Sequence, residues 1–297
     1  MRAAEKGFLL LTSYLGNPER RPLTVAQFRT LALRARESNF RGVDRELTGN
    51  DLVGLGYSEE MAWRITNLLN EEQLLTQYLR QGDACGCVPL SRISEGYPEV
   101  LYQRLGLDSP GCLWAKGDLS LLDTPMISLV GSRDIRTANK AFAREVGERA
   151  AQLGITLVSG NARGADRTAQ TACLEKGGNV ICVVPDSLLD KRADERILLL
   201  SEDGYELEFS AQRAISRNRV IHALGEKTFV AQTDLGVGGT WDGSVKNLKN
   251  HWSPLFCFDD SSAAATELQQ MGATLVTRDA LQDIRNLQPD MLTFFDH

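Results

Sequence analysis

The chain has 297 residues, 33 lysines and arginines against 39 aspartates and glutamates, a formal net charge of −6 and 42% hydrophobic residues. Length and hydrophobic content exclude a mainly disordered chain and suffice for about two domains without disulfide staples. The acidic balance excludes a histone-like coat of positive charge, yet leaves room for a local basic cleft on an acidic body.

At the N-terminus, Phe8-Leu9-Leu10-Leu11 is a short apolar run after Arg2, Glu5 and Lys6. Polar Thr12-Ser13 follows with no small-residue cleavage site, so no signal peptide is expected. Nothing approaches the about 18 consecutive apolar residues that a membrane span needs, and no membrane partner is expected. Up to about residue 125 the texture is helical: Val25, Phe28, Leu31 and Leu33, then Met61, Ile65, Leu68 and Leu69, then Leu74, Leu75 and Leu79. Between the first two sets, Leu52-Val53-Gly54-Leu55-Gly56-Tyr57-Ser58 reads as a helix ending in glycine, with Ser58 capping the next helix and Glu60 in its first turn. Residues 1–85 are therefore expected to form a helical N-terminal domain of helix-turn-helix or SAM-like kind. It can grip DNA or a partner, or serve as a cap without a ligand.

The six cysteines are scattered and form no CxxC pair. Cys182, inside Val180-Ile181-Cys182-Val183-Val184, reads as a buried free thiol, and Cys85-Gly86-Cys87 has no second ligand pair. No metal is expected, and the thiols suggest the reducing cytoplasm.

After Pro125, short apolar runs alternate with helical stretches. Strands are predicted at Met126 to Val130, Ile155 to Val158, Val180 to Val184, Lys227 to Ala231 and Pro254 to Phe258. Phe142, Val146, Ala150 and Leu153 mark one face of a helix, and further helices are predicted at Ala165 to Lys176, Ser216 to Leu224, Thr240 to Lys249 and Ala263 to Met271. Such alternation implies an α/β fold: an extended Rossmann-like parallel sheet with helices on both faces, over residues 86–297, preceded by the small helical N-terminal domain. No GxGxxG fingerprint opens it.

Ligands of an open parallel sheet bind beyond the carboxyl ends of its strands. There the first strand is followed by Gly131-Ser132-Arg133 and Thr137, the second by Ser159-Gly160-Asn161-Ala162-Arg163-Gly164-Ala165-Asp166, and the one ending near Ala231 by Gly238-Gly239-Thr240. Glycines let backbone amides approach a ligand, and helix N-termini carry partial positive charge, so three such turns on one rim suit phosphates. From Ala211 to Ala223 the chain holds Arg213, Arg217 and Arg219 with no acidic residue, and Arg133, Arg136 and Arg163 join them on the predicted rim. A guanidinium fork matches a phosphodiester, unless it pairs with Asp134, Asp166 or Glu202 instead. Asn218 can bond a base edge or cap a helix. Asp166 reads as orienting Arg163 or capping a helix rather than as a base. With no GxxxxGK[ST] loop, no GxSxG elbow and His222, His251 and His297 off metal-ligand spacing, neither a catalytic residue nor a cofactor is expected.

A linked set of motifs carries a resemblance. Gly96-Tyr97-Pro98-Glu99-Val100-Leu101, Leu113-Trp114-Ala115-Lys116-Gly117-Asp118, Val130-Gly131-Ser132-Arg133, Val158-Ser159-Gly160, Ala162-Arg163-Gly164-Ala165-Asp166 and Ser216-Arg217-Asn218-Arg219-Val220-Ile221 follow in order. In this set the sequence resembles the DNA-processing protein A (DprA/Smf) family. The resemblance implies an extended Rossmann domain that binds single-stranded DNA, usually as a homodimer. It also implies protection of incoming strands during natural transformation and help in loading the recombinase RecA. On this sequence it implies that Gly131, Ser132 and Arg133 line the DNA pocket, Ser159, Gly160, Arg163 and Gly164 shape its floor, Arg217, Asn218 and Arg219 run along one wall, and Gly239-Thr240 completes it. The chain departs from the family pattern at Gln170, where a histidine is usual, and at Gly238-Gly239-Thr240-Trp241-Asp242-Gly243, where a Ser-Gly-Ser turn is usual. Residues 259–297 are expected to be too few for the winged-helix domain that many members append. Trp241 can stack on a base or pack against the sheet edge.

The leading expectation is thus a non-enzymatic single-stranded DNA-binding protein. A nucleotide-sensing Rossmann module, for example in phage defence, is the alternative, and the same pocket would serve it. An N-glycosidic hydrolase of the PGGxGTxxE kind is disfavoured, because Gly243 stands where that motif has its glutamate.

Overall fold

The structure, a computed structural model, describes residues 1–38 and 47–290. Five helices come first: α1 (Ala3–Thr12), α2 (Val25–Glu37), α3 (Gly49–Gly54), α4 (Glu59–Leu69) and α5 (Glu72–Ala84). Their starts are chemically marked. The side chains of Thr24, Thr48 and Ser58 accept from the amides of Gln27, Asp51 and Met61, satisfying backbone donors that a helix start leaves open. The Ser58 cap lies where the sequence puts it. Leu11, Leu23, Phe28, Leu31, Leu52, Ala62, Ile65 and Leu68 close a core among these helices. Leu9, Leu10, Leu75 and Tyr78 belong instead to the core under the sheet, so the helices are packed onto it.

The remaining elements are β1 (Cys87–Ser91), α6 (Glu99–Leu105), β2 (Cys112–Lys116), β3 (Met126–Val130), α7 (Thr137–Gln152), β4 (Thr156–Ser159), α8 (Ala165–Glu175), β5 (Val180–Val183), β6 (Ile197–Glu202), α9 (Ala211–Ser216), α10 (Asn218–Leu224), β7 (Thr228–Val230), α11 (Gly238–Asn250), β8 (Leu255–Phe258), α12 (Ala263–Gln270) and β9 (Thr274–Val276). They build a 9-stranded sheet in the order β1-β2-β6-β5-β4-β3-β7-β8-β9. All pairings from β6 to β9 are parallel, whereas β1 with β2 and β2 with β6 are antiparallel.

Strand side chains alternate between two cores, as the two-residue repeat of a pleated strand requires. Ile127, Leu129, Leu157, Val180, Cys182, Phe229 and Phe256 face α7 and α8, where Phe142, Val146, Ala150, Ala169 and Cys173 meet them. Val130, Val158, Ile181, Val183, Val230 and Leu255 face Leu101, Val220, Ile221, Leu224 and Leu268 of α6, α10 and α12. Both faces are covered, as for parallel strands generally.

Two expectations change. The stretch before residue 125 is not wholly helical: β1 and β2 lie there, and Pro89 and Ser91 in one and Ala115 and Lys116 in the other interrupt the kind of apolar run that marks β3. The helix predicted over 216–224 is broken at Arg217, which ends α9 and starts α10 while its side chain turns inward. The chain runs outward from β3 through β4 and β5 to β6, then returns to β7 on the other side of β3. The β3/β7 boundary is therefore the switch point, where outgoing loops part into a crevice.

Candidate functional site

At that boundary three turns meet. Residues 131–136 leave β3, 160–164 leave β4 and 231–237 leave β7, and these three strands are neighbours in the sheet. The turns are bonded to one another. The Ser132 amide donates to the Gln232 carbonyl at 2.9 Å, and the Ala165 amide to the Ser132 carbonyl at 3.2 Å. The Gln232 side chain accepts from the Arg136 amide at 2.8 Å and donates to the Asp134 carbonyl at 3.1 Å. Buried Gln232 thereby sets the shape of the 132–136 turn. Sequence reading misses it, although its place just past the end of β7 is a signal.

Two glycines are required by contact. A Cβ on Gly164, which has φ +88°, would overlap the carbonyl oxygens of Ser132 and Arg133. A Cβ on Gly160 would overlap the guanidinium of Arg217. Behind the turns start α7 at Thr137, α8 at Ala165 and α11 at Gly238, so three helix N-termini lie behind the rim, the first amide of α8 being taken by the Ser132 carbonyl. Gly238 and Thr137 are exposed, while Gly239 and Thr240 are half-buried.

Beneath the surface lies a second layer. Asp166 is buried and accepts from the amides of Gly160 at 3.1 Å and Ala162 at 3.3 Å, so it folds its own loop rather than orienting Arg163. Burial pushes its carboxyl above the ordinary range, opposed by the Arg217 charge, the two amides and the Ser159 hydroxyl. Ser159, like Asp166, is buried. Arg217 is 7% exposed and donates to the Val183 carbonyl. Burial lowers its pKa, opposed chiefly by the charges of Asp166 and Asp186. Asn218 donates to the Gly239 carbonyl at 2.9 Å, tying α10 to the start of α11.

The six arginines thus separate. Arg219 is tied to Glu202 at 2.5 Å, with side-chain exposures of 12% and 10%, and also donates to the carbonyls of Asp108 and Ser216. With Arg217 it lies inside rather than along an open wall. Arg136 reaches Asp260 while remaining 54% exposed. Arg163 meets Asp134 at 2.7 Å, but the two are 74% and 90% exposed, a pairing worth at most about 1 kcal/mol that a phosphate can displace. Arg213 is half-buried, and its Nη1 has no hydrogen-bond partner among the described residues. Arg133 is exposed, and among the described residues no carboxylate lies within ion-pair distance of it. Its guanidinium lies 5.9 Å from the centroid of the Phe209 ring, a residue sequence reading passes over.

Other candidates are accounted for by packing. Trp241 is partly buried against the core on the α10 side. His222 is fully buried, and burial lowers its pKa to about 3. His297 lies outside the described residues. Among the described residues no cluster of three or more His, Cys, Asp or Glu side chains could hold a metal ion, and no helix is long and apolar enough to cross a membrane.

The model of the family described as DNA recombination-mediator protein A matches residues 90–286. DNA processing protein DprA of Streptococcus pneumoniae is 31% identical over 185 residues, covering 57% of this chain and 64% of the relative. Protein Smf of Escherichia coli is 31% identical over 156 residues, covering 49% and 41%. The chain therefore spans less than two thirds of the length of either relative. The solved structure of the Streptococcus pneumoniae DNA processing protein A superposes with a TM-score of 0.72 at 24% identity, covering 95% of this chain and 98% of that one. DNA processing protein A from Helicobacter pylori, described for its unique single-stranded DNA binding mode, superposes at 0.56 with 25% identity, over 67% and 94%.

Proposed function

The chain belongs to the DNA recombination-mediator protein A family, and on that premise we propose that it binds single-stranded DNA along this rim without catalysing a reaction on it. The observation that carries the reading is Arg133: exposed, without a carboxylate partner among the described residues, and set on the turn that is bonded to both of its neighbours and backed by helix N-termini. In this reading phosphates lie on Arg133, Arg163 and Arg136, beside the turn at Gly131 and Ser132, and on the open helix-start amides near Thr137, Gly238, Gly239 and Thr240. Ser159, Gly160, Gly164, Asp166, Arg217 and Asn218 keep those turns in place, Arg219 anchors the segment behind them, and Arg213 borders the adjoining cleft. The Helicobacter pylori relative supports the substrate class. Homodimerisation and delivery of the strand to a RecA-type recombinase belong to the same proposal.

The test is fluorescence anisotropy with a labelled single strand, against duplex and mononucleotide competitors, over a range of salt. Affinity is expected to fall with salt at about 0.7 logarithmic units per phosphate neutralised. Salt-independent binding, or mononucleotides that compete far better than the oligonucleotide, would overturn the reading in favour of a nucleotide sensor.

A further inference from the structure

The segment between β6 and α9 exposes an aromatic side chain that the rim leaves without a role. Phe209 is 55% exposed, flanked by Glu208 and Ser210. Leaving a phenyl ring in water forgoes the burial that folding usually gives it. Its position gives the exposure meaning. One neighbour is the open Arg133 guanidinium, near the outer limit of a cation–π contact, so the ring is touched without being covered. Phe209 also lines a cleft of about 730 Å³ between the N-terminal helices and this segment, shared with Phe28, Arg92, Ser210 and Arg213. A volume of that size accommodates a nucleobase.

A phosphate-binding cation beside an open aromatic ring, with free volume adjoining, is the combination by which proteins hold single strands: charge follows the backbone and the ring takes a base. Ile215, Leu235 and Val237 are exposed as well, but they have no π face. Trp63 is 67% exposed, yet α4 contributes nothing to the rim. We propose that Phe209 is a stacking platform for a nucleobase of the strand whose phosphate Arg133 holds, forming a base subsite at the mouth of the cleft. The proposal rests on the strand-binding reading above and adds a base contact to it.

The experiment compares the full chain with Phe209→Ala and Phe209→Trp. Each is titrated with a labelled oligothymidylate and with an abasic strand of the same length, at several salt concentrations. Phe209→Ala is expected to weaken oligothymidylate binding by roughly 5- to 150-fold. The salt slope should not change, because no charge is removed. Phe209→Trp should restore binding, and the abasic strand should not distinguish Phe209→Ala from the unaltered chain. Unchanged affinity for oligothymidylate, or an equal loss on intact and abasic strands, would overturn the platform. If Arg133→Ala weakens binding while Phe209→Ala does not, the platform falls and the strand-binding reading stands. If neither substitution matters, both fall.

Discussion

Replacing Arg133 by alanine tests the rim at its most exposed point. The side chain is exposed and fills no cavity, so folding stability should stay within about 0.5 kcal/mol of the unaltered chain. The loss is confined to the complex. A hydrogen bond to a charged group is worth about 1.5–3 kcal/mol, which corresponds to roughly a 10- to 150-fold weaker affinity. Three surface guanidiniums, Arg133, Arg136 and Arg163, can neutralise phosphates, so the slope of log affinity against log salt should be about −2 and fall to about −1.4 in Arg133→Ala. Anisotropy titrations between about 50 and 200 mM salt measure both quantities, with thermal unfolding by circular dichroism as the control. An unchanged affinity and slope, with an intact fold, would refute the assignment of phosphates to this rim.

Three other outcomes follow from the packing. Arg219→Ala should act on stability: it strands the buried Glu202 carboxylate at a cost of about 3–5 kcal/mol, visible as a lower Tm. A collapse in DNA affinity at unchanged Tm would instead put Arg219 on the binding surface. Gly164→Ala should cost about 1–3 kcal/mol and weaken strand binding with no functional side chain removed, because its methyl group displaces the Ser132-Arg133 carbonyls; unchanged Tm and affinity together would contradict this. Burial, with the Glu202 charge beside it, pushes the Asp203 carboxyl up to about 7, against Arg219 and Arg213. Between about 4 and 7 the unfolded chain releases that proton while the folded chain keeps it, so stability declines as pH rises through this window and levels off above it. Asp203→Asn, whose side chain tolerates the φ of +69° there, should flatten this slope and raise stability at alkaline pH; denaturant titrations that give parallel pH profiles would refute it.

The parts of the fold legible in the sequence are those with a strong repeat or a strong end signal. β3, β4 and β5 are short apolar runs closed by glycine, serine or proline, and α7 carries Phe142, Val146 and Ala150 on one buried face. β6, with Ile197-Leu198-Leu199-Leu200, escapes because its run of leucines lacks the β-branched residues that mark β5 and fits a buried helical turn equally well. In the site, the turns were legible and the fates of their charges were not. Arg217 and Arg219 stand two apart, a spacing that aims side chains in different directions on a helix. One reaches the end of β5 and the other the end of β6, partners remote in sequence that only the strand order brings near. Phe209 had no repeat to announce it, since its meaning comes from Arg133 on another loop.

The antiparallel pair β1 and β2 governs how the sheet can meet its surroundings. Without them β6 would present an unpaired row of amides and carbonyls, a template for any passing strand. β2 occupies that row from Leu113 to Lys116, and Pro89 leaves β1, the outermost strand, one backbone donor short. The chain thus seals one margin of the sheet with its own earlier residues. Among the described residues the opposite margin is β9, only 3 residues long, which gives little purchase to edge-to-edge stacking of copies even when the protein is concentrated.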